Sequence, residues 1–91
     1  MTLESMRQKI DEIDDKLLNL LNERASCAVE IGKLKITKNL PVYFPEREKQ
    51  IIERLITKNP GPLQESSIRT LFERIIDESR HLERITVDKE K

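Results

Sequence analysis

The sequence has one cysteine, one histidine, two glycines and very little aromatic surface, with only 3% of its residues Phe, Tyr or Trp. A single cysteine excludes an internal disulfide. A nucleophilic cysteine also needs a base nearby, and His81 comes late in a different segment, so Cys27 is read as a small buried hydrophobe. With no second histidine and no cysteine at ligand spacing, His81 is read as an exposed or packing residue, not a metal ligand. Two glycines do not make a glycine-rich phosphate loop. No apolar run approaches the roughly 20 residues that a membrane span requires. The N-terminal stretch MTLESMRQK lacks the apolar centre of an export signal, and with one cysteine in the chain a cytoplasmic protein is expected. Excess charge is missing too: 17 Lys and Arg balance 17 Asp and Glu, which argues against a nucleic-acid binder. Hydrophobic residues make up 36% of the 91 positions and charged ones 37%, so the core is thin. One small domain is expected, with oligomerisation supplying burial that a single chain of this size cannot.

The first forty residues carry no proline and one glycine. Read every three or four residues, they give Leu3, Met6, Ile10, Ile13, Leu17, Leu20, Arg24, Cys27, Ile31 and Leu34. This heptad-like seam predicts one amphipathic helix over about 3–37, capped by Thr2. At about 1.5 Å per residue it is roughly 50 Å long, too long for a chain of this size to surround, so it must pair with something. Arg24 is the anomaly: an obligatory cation at a seam position in mid-helix, either a specificity device or a site residue.

Pro41 and Pro45 make LPVYFP an extended connector, and Pro45 is placed to open a second helix, expected over about 46–58. Its apolar positions are Ile51, Ile52, Leu55 and Ile56. Arg47 precedes Ile51 and Leu55 by steps of four, and Glu48 borders the same stripe. Asn59-Pro60-Gly61-Pro62 ends this helix. A third helix is expected over about 65–85, with Ile68, Leu71, Phe72, Ile75, Ile76, Ser79 and Leu82 facing inward and Glu83 four residues after Ser79. The closing residues TVDKEK are expected to be a polar, mobile tail. The reading is all-α, three helices in a single domain over 1–91.

Seven polar residues lie on or beside the apolar stripes: Arg7, Arg24, Lys35, Arg47, Glu48, Ser79 and Glu83. Four are cations. A cavity between helices lined this way suits a small dianion whose carboxylates are held by guanidinium forks. Arg24 and Lys35 are eleven positions apart, so they share a helix face and sit roughly 16 Å from each other along it. Arg7 lies roughly 25 Å from Arg24, too far for both to reach one small ligand from one copy of the helix. If the helix packs antiparallel on its twin, Arg7 of one chain approaches the Arg24 region of the other.

The segments MRQKIDEIDDKLLNLLNERASCAVEIGKLK, PVYFPEREKQIIERL and NPGPLQESSIRTLFERIIDESRHLE, in this order and spacing, resemble the all-α, AroQ-type chorismate mutases. The GPL turn is similar to that of mutase domains fused to prephenate dehydratase. The resemblance implies an intertwined antiparallel homodimer with two active sites, chorismate as substrate, and its Claisen rearrangement to prephenate on the route to phenylalanine and tyrosine. It also implies that Arg7 reaches the partner's site and, with Arg24, holds the two substrate carboxylates. Lys35 would bind a carboxylate and the ether oxygen, Glu48 the ring hydroxyl, Arg47 would support the site electrostatically, and Ser79 matches the family's site serine. Two positions depart from the best-known pattern. Phe44 stands where an aspartate often helps to bind the hydroxyl, and Glu83 where some members carry a glutamine facing the ether oxygen. Other members also use Glu there.

A pericyclic, intramolecular rearrangement needs no nucleophile, metal or cofactor, which suits a sequence with no triad and no ligand cluster. It needs selection of a compact conformer and stabilisation of charge growing on the ether oxygen. Glu83 donates to that oxygen only when protonated, so activity is expected to fall as pH rises through its titration, with Lys35, Glu83 and Arg24 as the catalytic set. The rival reading is a non-catalytic helical dimerisation or regulatory module, which explains the seam without requiring Arg24, Lys35 and Arg47 together. No cofactor, nucleic acid or membrane enters either reading. Related folds also act on isochorismate as pyruvate lyases, and the segment between helices 1 and 2 and the P-x-RE context favour the mutase.

Overall fold

The computed structural model describes residues 1–90. Three helices follow one another: α1 (Leu3–Lys38), α2 (Pro45–Lys58) and α3 (Glu65–Glu90). The start of α1 is held by a reciprocal cap. Thr2 Oγ1 accepts from the Ser5 amide at 3.0 Å, and Ser5 Oγ accepts from the Thr2 amide at 2.9 Å. Its end is closed by Asn39 in the left-handed conformation (φ 56°, ψ 45°), a position that Asn tolerates better than most residues. The Asn39 amide donates to Ile36 O and the Leu40 amide to Lys35 O, the bond pattern of a Schellman closure, and Pro41 then prevents continuation. Pro45 occupies the first turn of α2, as expected, but Phe44 before it offers no side-chain cap.

α3 packs along α1, and α2 packs against α3. The principal axes measure 54 × 25 × 15 Å, so the long dimension is the length of α1 itself, about 54 Å for its 36 residues. The buried core is small: Ala28, Gly32, Val42, Ile68 and Ile76. Gly32 marks the closest approach of α1 to α3. A Cβ there would stand 3.2 Å from Thr86 Cβ and 3.3 Å from both Cα and O of Glu83.

Three expectations need correction. The stretch after Ile85 is not a tail: α3 continues to Glu90, because Thr86 and Val87 extend the inward period and stay half-buried, Thr86 against Gly32. Lys91, the last residue of that stretch, lies outside the described residues. Cys27 is exposed, not buried, because it borders the open cleft and not a packed helix. Leu71, assigned inward, is 51% exposed.

The α1 seam itself is bare. Leu3, Ile10, Ile13, Leu17, Leu20, Ile31 and Leu34 are all exposed, and Leu18 and Leu21 beside them are as well. The chain presents 7489 Å², whereas a compact monomer of 10.7 kDa presents about 5,500 Å². The excess, about 2,000 Å², is rich in leucine and isoleucine.

Candidate active site

Where the C-terminal half of α1, the connector, α2 and α3 converge, they enclose a cleft of about 600 Å³. Of the seven residues singled out from the sequence, Arg24, Lys35, Arg47, Glu48, Ser79 and Glu83 line it. Arg7 does not. It sits exposed in the bare N-terminal half of α1, which no other part of its own chain reaches. The apolar share of the wall comes from Ala28, Ile31, Val42, Ile51 and Ile76, with Phe44 and Cys27 also present.

Arg24 is oriented by Ser79. Its Nη1 donates to Ser79 Oγ, and that hydroxyl in turn donates to the Ile75 carbonyl at 3.0 Å. Both hydrogen-bonding functions of Ser79 are therefore engaged within the chain, one holding the serine to its helix and one holding the arginine. A guanidinium carries five N–H donors, so Arg24 keeps most of them for a ligand.

Lys35 and Glu83 face each other across the α1–α3 contact, with Nζ 2.6 Å from Oε1. Their side chains are 15% and 12% exposed, which puts the pair in a region where solvent screens it little. The contact is ionic more than directional: Glu83 Oε1 is buried and makes no well-angled hydrogen bond, while Lys35 Nζ donates to the Val42 carbonyl at 2.8 Å. Only the Val42 bond is a directed hydrogen bond, so the ammonium keeps donor capacity for a ligand.

Glu48 is engaged by a residue that the seven do not include. Arg80 Nε donates to Glu48 Oε2 at 3.0 Å and Arg80 Nη2 to Glu48 Oε1 at 3.1 Å, a two-bonded fork from α3 to α2. Asp77 Oδ1 accepts from the same Nη2 at 2.7 Å, and the Arg80 Cζ lies 5.1 Å from the centroid of the Tyr43 ring. Burial lowers the proton affinity of Arg80, but the hydrogen bond and charge of Glu48 outweigh it and the net shift is upward. Arg80 also lines the cleft. The period that marks Ile76, Ser79 and Glu83 selects Arg80 equally well, because it is four residues after Ile76 and three before Glu83. That signal was present in the sequence.

The cleft lining carries four cations, Arg24, Lys35, Arg47 and Arg80, and three carboxylates, Glu46, Glu48 and Glu83. Its cations are of the type that hold carboxylates. Among the described residues no helix is long and apolar enough to cross a membrane.

Comparison with known proteins gives the family. The family model described as chorismate mutase type II matches residues 6–84, a span that includes Arg7 and every charged cleft residue just described. A bifunctional chorismate mutase/prephenate dehydratase of Aquifex aeolicus is 37% identical over 86 residues, covering 90% of this chain and 24% of that protein. The chain therefore spans about a quarter of the length of such bifunctional relatives. A chorismate mutase of Methanocaldococcus jannaschii is 45% identical over 53 residues, 58% of this chain and 54% of that one. The solved structure of chorismate mutase (form II) from Thermus thermophilus superposes with a TM-score of 0.88 at 36% identity, covering 90% of this chain and 93% of that one. By sequence and by fold, the chain belongs to the type II chorismate mutase family.

Proposed function

We propose that this chain is an isomerase that converts chorismate to prephenate, in the biosynthesis of aromatic amino acids, and that it works as an antiparallel homodimer in the cytoplasm. The observation that carries the reading is the meeting of Arg24, Lys35, Arg47, Glu48, Ser79 and Glu83 from three helices in one cleft of a chain matched by the type II family. One C–O bond breaks and one C–C bond forms within a single molecule, so the protein needs only to select the reactive conformer and stabilise charge as it develops. An acceleration of about a millionfold corresponds to roughly 8 kcal/mol of such differential stabilisation.

In this reading Arg24 clamps one carboxylate of the dianion, with its guanidinium already oriented by Ser79. Lys35 donates to a carboxylate and to the ether oxygen, where it opposes the growing negative charge. Glu83, paired with Lys35 in the free cleft, donates to the same oxygen only if it carries a proton there; ionised, it would repel it. Glu48 accepts from the ring hydroxyl, and Arg47 adds positive potential at the cleft wall. Phe44 contributes no polar contact to the hydroxyl, which leaves that task to Glu48.

The second carboxylate calls for Arg7 of the partner. From within its own chain Arg7 is roughly 25 Å along α1 from Arg24. Two α1 helices crossing antiparallel midway between these residues bring each Arg7 to the other chain's cleft. The bare leucine and isoleucine stripe supports this pairing. An excess of about 2,000 Å² per chain falls, once doubled, in the range of obligate dimers.

The test is to mix purified protein with chorismate and follow its disappearance, with Arg24→Ala in parallel. Conversion to prephenate by the wild type, lost in the variant, is the expected result. No conversion by a folded dimer sinks the reading in favour of a dimerisation module. Conversion that ignores Arg24→Ala keeps the enzyme but discards the site.

A further inference from the structure

The contact between Arg80 and Glu48 is more elaborate than a surface ion pair. Two parallel hydrogen bonds of 3.0 and 3.1 Å fix the plane of the carboxylate. The guanidinium is itself held by Asp77 Oδ1, which accepts from the same Nη2 at 2.7 Å, and lies over the Tyr43 ring. Three elements, the connector, α2 and α3, therefore converge on the orientation of one carboxylate. Glu48 and Arg80 are 24% and 33% exposed, sheltered enough for the pair to persist in salt.

An ionised carboxylate has about four acceptor positions, two on each oxygen. The fork takes one on each oxygen and leaves the others. A carboxylate held by this fork cannot swing aside, so what it offers the cleft is a fixed acceptor. It accepts from a hydroxyl and gains nothing from a hydrogen atom in the same place. A site built to hydrogen-bond a hydroxyl discriminates strongly against the analogue that lacks it, because the polar group is then left unpaired. The arrangement matters more here because Phe44, at the same wall, cannot share the task.

We propose that Arg80 is a positioning residue: through its two-bonded clamp on Glu48 it makes the cleft selective for a substrate that carries a hydroxyl on its ring. The proposal rests on the mutase reading above and assigns the specificity of that same site. Arg80 need not touch the substrate to act in this way.

The experiment compares kcat/KM for chorismate with kcat/KM for the analogue lacking the ring hydroxyl, in the wild type, Arg80→Met, Arg80→Lys and Glu48→Gln. The ratio of the two values is the readout. Loss of folded protein scales both substrates together and cancels, so a destabilised variant still gives an answer. Arg80→Met is expected to lower the wild-type preference for the hydroxylated substrate about tenfold. Arg80→Lys restores only part of it, since a point charge cannot reproduce a planar fork. Combining Arg80→Met with Glu48→Gln adds little beyond Glu48→Gln alone, because the clamp then has no carboxylate to hold. An unchanged ratio in Arg80→Met, or additive losses in the double variant, overturns the proposal. Failure of the wild type to convert chorismate at all is seen before any variant is made; it removes the mutase reading and this proposal falls with it.

Discussion

Gly32→Ala isolates how the packing of α1 on α3 sets the chemistry of the cleft. The added methyl would meet Thr86 Cβ at 3.2 Å and the backbone of Glu83 at 3.3 Å, where ordinary carbon contacts begin at about 3.5 Å. Two of the three close atoms are main chain, so no rotamer change relieves them. α3 has to recede by about 0.3–0.5 Å to reach ordinary contact. Overpacking of this kind costs about 1–3 kcal/mol, and the better helix propensity of Ala returns about 1 kcal/mol. The net loss is then about 0–2 kcal/mol, a modest fall in Tm. Activity suffers more, because the displaced residue is Glu83, whose carboxylate lies 2.6 Å from Lys35. A misplacement of 1 Å can cost about a hundredfold, so a shift under half that predicts a three- to tenfold fall in kcat, to order of magnitude. The assay is chorismate consumption at saturating substrate, alongside thermal unfolding followed by circular dichroism. A variant with wild-type kcat and a raised Tm would refute the reasoning: it would show that α3 yields freely and that Gly32 does not hold Glu83 in place.

Other outcomes follow from separate features. Phe44→Asp supplies α2 with the side-chain cap it lacks and places a negative charge at a helix N-terminus; stability should rise by about 1 kcal/mol in urea unfolding, and no gain would show that Phe44 already makes an equivalent contact. Leu17→Glu puts a charge in the middle of the bare stripe, which one chain tolerates and a paired stripe does not. Sedimentation should report a monomer and chorismate conversion should collapse, while a dimer of normal activity would place the interface elsewhere. Glu83→Gln keeps the shape of the side chain beside Lys35 and carries an amide donor, whereas Glu83→Ala carries none. Chorismate conversion should stay within a few-fold of wild type in the first and fall by about tenfold or more in kcat in the second, and equal losses in both would remove Glu83 as a donor to the ether oxygen.

Helix positions and the residues of the cleft were largely legible from the chain. Proline at 41, 45, 60 and 62 marks the breaks, and the 3.6-residue period places Arg24, Ser79 and Glu83 beside apolar stripes, because backbone sterics and helix geometry are local. The long first helix follows in the same way from an unbroken seam between Thr2 and Asn39. What periodicity could not supply is distance between helices. That Arg24 is held by Ser79, that Lys35 divides itself between Val42 O and Glu83, and that Glu48 belongs to Arg80 depend on how closely α3 approaches α1 and α2. Gly32 sets the first of these approaches, and a lone glycine in a helical pattern does not reveal which backbone it admits. The extension of α3 to Glu90 is likewise tertiary in origin, since packing against α1 carries the helix through Thr86 and Val87, residues that by propensity alone are indifferent helix formers. The local pattern of the sequence decided which residues face inward. The tertiary structure decided which charges meet, because pairing needs side chains from different helices brought within a few ångströms, a distance that no repeat along the chain encodes.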